Sequence, residues 1–225
     1  NHLDFFGASY DYAEADYNKR KEIEQMHKDY ALGMLWLLEH DPRIPEHIRS
    51  EMSDWGLPKD EFADTENFPN HIYVREARRM IGEYVMVEKN VAKENREVAE
   101  NPIGVGSYAL DCHYVSKVID EEGKLRYEGT IFKPTTPYQI SYYSLTPKRN
   151  ECSNLLVPVC LSASHVAFSS IRMEPVYMVL GQSAAVAASL AIDEKSAVQE
   201  IPYDRLAAKL LELEQIIKPG NTKPH

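Results

Sequence analysis

The chain has 225 residues, enough to bury one large core or two small ones. Its net charge of −10 argues against binding to nucleic acid or to an acidic membrane surface, because both require a basic protein surface. Apolar residues make up 44% and charged residues 27% of the chain, as in ordinary globular proteins. No apolar run of about 18 residues is apparent, so we expect no membrane-spanning segment. Together with the negative charge, this predicts neither a nucleic-acid partner nor a membrane partner.

Metal-binding patterns are not visible in the sequence. The three cysteines, Cys112, Cys152 and Cys160, are odd in number and form no C-x-x-C pair, so neither a zinc site nor a disulfide framework is predicted. The histidines show no metal-ligand spacing either. We therefore expect no bound metal, and the cysteines leave the choice between a cytoplasmic and a periplasmic compartment open.

The first 70 residues are predicted to be helical and then irregular. Residues 13–40 place apolar side chains at helical spacing between charged ones, and Asp41-Pro42 ends this pattern. A short second helix begins at Pro45 and ends at Gly56. Residues 57–70 contain prolines and several acidic residues, so they are predicted to form a surface loop.

The middle of the chain has the alternating pattern of strands. Residues 71–86 suit strands interrupted by a glycine, and residues 88–102 are polar enough for a loop. Residues 105–119 and 125–133 predict a hairpin with a tight turn between its strands. Residues 137–145 predict one more strand, so we expect a mostly antiparallel sheet.

The last third of the chain reads as a strand, a polar loop and two helices. Residues 155–161 form a short apolar run, and residues 174–191 form a long helical pattern. Residues 203–217 predict an amphipathic helix, followed by a frayed tail from residue 218. The order of elements predicts an α+β fold, with N-terminal helices and an antiparallel sheet in residues 1–150 and a strand–loop–helix module in residues 151–225.

The helix at 174–191 carries the strongest chemical pattern. Pro175 suits the first turn of a helix, and the helix has almost no charge after Glu174, which predicts burial. Its start follows a polar loop that includes Arg172, and a helix start offers N–H groups and partial positive charge to an electron-rich oxygen. The alternative is a core helix with a polar cap and nothing bound.

Several long motifs resemble one family in the same order along the chain. These motifs are HIYVREARRMIGEYVM, GSYALDCHYV, PYQISYYSLTPKR, and NLLVPVCLSASH followed by SIRMEPVYMVLGQSAAVAASLA. They resemble the FAD-dependent oxidoreductase family FAD_oxidored, over about residues 10 to 217. The resemblance implies FAD as cofactor and an FAD domain of the glutathione-reductase type. Some members are labelled xanthan lyase, and many come from bacteria that degrade polysaccharides.

The resemblance also implies which residues face the flavin and which face the substrate. The loop at residues 162–174 would contact the flavin, and its implied cofactor-binding residues are Ser164, His165, Ile171, Arg172, Met173 and Glu174. The substrate side would include Arg75, Asp111 and His113. The implied catalytic residues are His165, His113 and Arg75.

Each of these roles has a structural alternative. The arginines at 75–79 suit either a clamp for a substrate carboxylate or ion pairs with Glu76 and Glu83. His113 is either a general acid or base beside Asp111 or a hydrogen-bonded structural histidine.

The glycine motif that holds the ADP part of FAD is a further point of comparison. Family members begin with a strand, a G-x-G-x-x-G turn and a helix. In this sequence the only G-x-G is Gly104-Val105-Gly106, which precedes a strand pattern, so we reject it as a phosphate loop. We therefore expect an incomplete FAD domain that needs an N-terminal dinucleotide-binding segment as its intramolecular partner.

The sequence leads to one function with two alternatives. The leading interpretation is the C-terminal portion of an FAD-dependent oxidoreductase acting on a small organic substrate, with sugars and sugar acids as candidates. One alternative is a polysaccharide lyase of the xanthan type, which needs a base and a cation near a uronate. The other is a structural module without activity of its own.

Overall fold

The computed structural model describes residues 4–220, within which helices and short strands alternate. The helices are α1 (Tyr17–His40), α2 (Glu46–Met52), α3 (Glu88–Val91), α4 (His165–Ile171), α5 (Glu174–Glu194) and α6 (Tyr203–Glu212). The strands are β1 (Pro102–Gly106), β2 (Leu110–Cys112), β3 (Ser116–Ile119), β4 (Leu125–Glu128), β5 (Ile131–Lys133) and β6 (Tyr138–Ser141). The mixture of helices with antiparallel strands confirms the α+β prediction.

The strands form three separate antiparallel pairs in the described part of the chain. β1 pairs with β6, β2 with β5, and β3 with β4. The antiparallel direction was predicted, whereas one continuous sheet was expected. The predicted strand 105–119 is divided into parts that pair with different partners, because the chain leaves the extended path twice between β1 and β3.

The chain forms two compact units that do not coincide with the predicted regions. The first unit comprises residues 4–76 with 114–128, and the second comprises residues 77–113 with 129–220. The assignment of a substrate side to 1–150 and an FAD side to 151–225 concerns function, and it stays a prediction.

Local capping explains the elements of the first unit. The Asp16 side chain accepts a hydrogen bond from Lys19 N at 2.9 Å and so begins α1, while Asp41 ends it just before a proline. The β3–β4 turn is held by Asp120, whose Oδ1 accepts from Lys124 N at 2.8 Å. The predicted helices and hairpin turn of this unit are confirmed, with shorter bounds.

The second unit contains the large hydrophobic core, and α5 packs on β1 at its centre. A Cβ on Gly104 would lie 2.7 Å from Val179 Cγ1, and one on Gly106 would lie 2.5 Å from the Tyr138 ring. Both glycines therefore permit close packing within a strand. The G-x-G therefore lies within a strand that packs against its neighbours, and not in a turn that leads into a helix.

Helix α5 combines burial with an uncharged exposed face. Its residues 175–192 carry no charge, so by length and composition α5 could cross a membrane, contrary to our reading that no such run exists. Core helices of soluble proteins pass the same test, and Leu180 and Ala187 of α5 are fully buried. Met178 and Ile192 are about three-quarters exposed, so burial is confined to one side of the helix.

Two predicted strands are wrong. Residues 155–161 form no strand, because Pro158 lacks the N–H that a ladder needs. Residues 71–86 form only isolated bridges at Gly82 and Met86, and the Gly82 N–H is bonded to the Ser162 side chain instead of a partner strand. Arg75 and Arg79 therefore do not lie on a regular strand.

The last predicted helix is shorter than expected. α6 buries Leu206 and Leu210, as predicted, but it ends at Glu212 and leaves Leu213 about half exposed. The chain then turns through Glu214, which has a positive φ of 59°. The predicted frayed tail lies outside the described residues from 221 onward.

Replacing Gly104 tests the packing of α5 on β1. We expect Gly104→Ala to lower the free energy of unfolding by about 1–3 kcal/mol, because the new methyl group overlaps Val179. Gly181→Ala is the matched control, since its Cβ would meet no atom within 4 Å, and we expect a gain of about 0.5–1 kcal/mol. Urea unfolding measures both, and equal effects would contradict the proposed contact.

The buried Tyr138 makes stability depend on alkaline pH. Burial raises the pKa of Tyr138 well above its usual range, although the hydrogen bond to Ser170 lowers it in part. The unfolded chain ionises this phenol near pH 10 while the folded chain keeps its proton, so stability falls as pH rises above about 10. We expect a smaller loss of unfolding free energy between pH 9 and about pH 11 in Tyr138→Phe. An identical loss in both proteins would contradict this expectation.

Candidate functional site

Helix α4 replaces most of the predicted loop at residues 162–174. Ser164 begins the helix, and its side chain accepts a hydrogen bond from Ala167 N at 3.3 Å. Ser164 N in turn donates to Met86 O at 2.8 Å. The sequence was read as a loop because α4 is short and rich in serine, yet no residue within it breaks a helix.

The serines of α4 fasten the segment that leads into β2. Ser169 and Ser170 are fully buried, although serine is usually exposed. Ser169 Oγ accepts from Asp111 N at 3.1 Å, and Ser170 donates to Tyr108 O. The two hydroxyls therefore fix the backbone around Asp111 against the last turn of α4.

Asp111 is the centre of a polar cluster. Its Oδ2 lies 3.4 Å from Arg172 Nη2 and 3.4 Å from His113 Nε2. The Tyr108 hydroxyl donates to the same oxygen at 3.2 Å. Arg172 also donates to the backbone carbonyl of Asp111 at 3.1 Å. A guanidinium and an imidazole thus share one carboxylate oxygen.

Arg172 is buried at the junction between α4 and α5. It is only 7% exposed, and its Nε is buried without a hydrogen-bond partner among the described residues. A buried donor that lacks a partner costs about 1–3 kcal/mol and is rare in folded proteins. One donor of the buried guanidinium is therefore not satisfied by the described residues.

The start of α5 follows Arg172 and has no side-chain cap. Met173 occupies the capping position with extended backbone, and Glu174 and Pro175 form the first turn. In the described part of the chain this helix start has no side-chain capping hydrogen bond, so its first N–H groups carry partial positive charge without a side-chain acceptor. Arg172 directly precedes this helix start in the chain.

The other predicted flavin contacts lie along α4. His165 is its first helical residue and is exposed. Ile171 is its last residue, and its side chain is fully buried in the hydrophobic core. Ser164 uses its side chain as the cap. Their roles in cofactor binding stay predictions.

The predicted catalytic residues fall in both compact units. His113 belongs to the second unit with Asp111 and Arg172, and its side chain is 16% exposed. Arg75 belongs to the first unit, where its guanidinium lies 5.4 Å from the centre of the Tyr73 ring. The structure therefore brings His113 and Arg172 together and leaves the catalytic role of Arg75 a prediction.

A cavity of about 400 Å³ lies in the first unit. Its walls include the rings of Phe5, Phe6, Tyr10 and Tyr30 and the side chain of Lys117. No predicted site residue lines this cavity. All of its lining residues belong to the first unit.

The cluster of the second unit fits the pyrimidine edge of a flavin. That edge presents an electron-rich oxygen and nitrogen and gains negative charge on reduction. A guanidinium N–H without a partner among the described residues and a helix start without a side-chain cap are donors that such an edge requires. These features would suit a class of protein that holds an electron-rich ring, and the roles of the individual residues stay predictions.

Comparison with known families agrees with this class. The family model of FAD dependent oxidoreductases matches residues 1–210, and the chain belongs to this family. Its general function is therefore FAD-dependent oxidation and reduction. Neither a curated protein nor a solved structure matches the chain.

The link between Asp111 and Arg172 was missed from the sequence. The two residues are 61 positions apart, and sequence patterns assigned them to different sides of the site. The buried polar residues of α4 were the available signal, since Ser169 and Ser170 lie next to apolar core positions and need partners.

The Ser164 cap can be tested by substitution. We expect Ser164→Ala to lower the free energy of unfolding by about 1 kcal/mol, because Ala167 N loses its side-chain acceptor. Ser164→Asp should retain most of the stability, since aspartate caps helices as well as serine does. Urea unfolding compares the three proteins. Equal losses in both variants would show that the hydroxyl has another role.

Proposed function

We propose that this chain provides the flavin-ring side of an FAD-dependent oxidoreductase that oxidises a small organic alcohol, with sugar-derived alcohols as the first class to test. The observation that supports it best is the buried Arg172, whose Nε has no partner within residues 4–220, directly before the start of α5. Family membership supports the general reaction. The choice of substrate rests on the resemblance and on the chemistry of the cluster.

The first step is to bind the cofactor at Arg172 and the start of α5. FAD, when bound there, would supply the hydride acceptor for oxidation of the substrate carbon. Arg172 and the N–H groups at Glu174 and Val176 would hold the pyrimidine edge. Their positive charge is fixed before the reaction, so it stabilises the negative charge that develops there without rearrangement.

The second step is to remove a proton from the substrate hydroxyl. His113 is the first candidate to accept this proton, because its Nε2 lies 3.4 Å from the Asp111 carboxylate, which would stabilise the protonated imidazole. When the hydride and the proton have left, the alcohol has become a carbonyl compound. His165 is the second candidate for this role because it is exposed at the start of α4, and Arg75 is a candidate for holding charge on the substrate.

The ADP part of FAD needs a further segment, which we propose covers α5. The uncharged face around Met178 and Ile192 is exposed, and an exposed face of this kind commonly marks a contact surface. A strand–G-x-G-x-x-G–helix segment is the proposed occupant, because it would bring the pyrophosphate-binding helix start that the cluster around Arg172 does not supply.

Binding of flavin fragments tests the proposal. We expect riboflavin, which has the ring without ADP, to bind the chain, with quenching of its fluorescence as the measurement. Arg172→Ala should weaken binding about tenfold or more, because a hydrogen bond to a charged group is lost. Arg205→Ala is the matched control, since this arginine is exposed and pairs with Glu194.

Two results would contradict the proposal. One is that riboflavin does not bind, and the other is that ADP alone displaces it. Release of an ultraviolet-absorbing product from a uronate polymer without flavin would favour the lyase alternative. A change of equal size in Arg172→Ala and Arg205→Ala would exclude a specific role for Arg172.

A further inference from the structure

Asp111 lies between the two groups to which the proposed reaction assigns different tasks. Its Oδ2 contacts Arg172 of the flavin-binding side and His113 of the proton-accepting side, each at 3.4 Å. Tyr108 donates to the same oxygen, and Ser169 holds the backbone N–H. Few rotations of the carboxylate keep all of these contacts, so its position is well fixed.

The charge of Asp111 matters because Arg172 is buried. A buried charge that loses its partner strongly destabilises a protein, so the pairing also fixes the guanidinium in place. The pairing is incomplete, because the same carboxylate oxygen also contacts His113 and Tyr108, and because no described residue accepts a hydrogen bond from Arg172 Nε. Asp111 therefore holds the guanidinium in place but neutralises its positive charge only in part.

We infer that Asp111 is a positioning residue that holds Arg172 and His113 in one unit and moderates the positive charge at the start of α5. This inference rests on the proposed flavin-binding role of Arg172. Asp111 would thereby set how strongly the site prefers reduced flavin, which is more electron-rich, over oxidised flavin. An arginine without this carboxylate would favour the reduced form more strongly.

The test compares the affinities for oxidised and reduced riboflavin. Fluorescence quenching gives the dissociation constant of the oxidised form, and the midpoint potential of free and bound riboflavin gives the ratio of the two affinities. In Asp111→Asn we expect weaker binding of oxidised riboflavin, because Arg172 loses its partner. We expect the preference for reduced riboflavin to rise about tenfold, because a nearby negative charge is removed.

Two further variants separate charge from shape. Asp111→Glu keeps the charge and changes the geometry, so it should weaken binding and leave the ratio of affinities near that of the wild type. Asp193→Asn is the control for loss of a negative charge elsewhere, since Asp193 is exposed near the end of α5. It should change neither the affinity for oxidised riboflavin nor the ratio of the two affinities. If Asp111→Asn does not fold, Asp111→Ser replaces it, because it also removes the charge.

Each outcome bears on a different conclusion. Wild-type chain that binds no riboflavin overturns the proposed function and this inference with it. Wild-type binding together with an unchanged ratio in Asp111→Asn shows a purely structural role for Asp111 and overturns the inference alone. An equal rise of the ratio in Asp193→Asn also overturns it, because position would then be irrelevant.

Discussion

A buried arginine must have an acceptor within reach, and in this protein that need links the elements around the candidate site. Arg172 lies between α4 and α5 and is only 7% exposed. Its partner is Asp111 on β2, which is far away in the chain. Separating the two residues would leave the buried charge of Arg172 unpaired, which is energetically costly. The ion pair therefore helps to hold β2 against the end of α4. The same pairing places His113, two residues after Asp111, beside the arginine.

The second constraint is the close packing of α5 on β1. Gly104 has no side chain that could separate the strand from the helix. The axis of α5 is therefore fixed by the core, and with it the position of its uncapped start. Rigid packing of this kind is what a site needs when positive charge must be in place before negative charge develops. The first turn of α5 thus lies at the candidate site, and one face of the helix packs in the hydrophobic core.

The sequence predicted the motifs and the class of cofactor. It did not predict how the chain folds between the motifs. The long helices at both ends of the chain have periodic apolar residues, so α1, α5 and α6 were predicted with errors mainly at their ends. The strand predicted at residues 155–161 is not formed, because Pro158 lacks the N–H that a regular strand ladder needs. α4 was missed because seven residues are too few for a clear helical period. Short elements depend on tertiary contacts, which leave little local signal.

The sequence by itself determined the family, the general cofactor chemistry and the residues Arg172 and His113 as candidates. These follow from motifs whose residues are close together in the chain. Only the tertiary structure decided that Arg172, Asp111 and His113 share one carboxylate oxygen, because 61 residues separate the first two and no local pattern encodes that contact. It also decided which arginine is buried and incompletely paired. Burial depends on the packing of α4, α5 and β2 together, and it is burial that turns an ordinary charge into a candidate binding group.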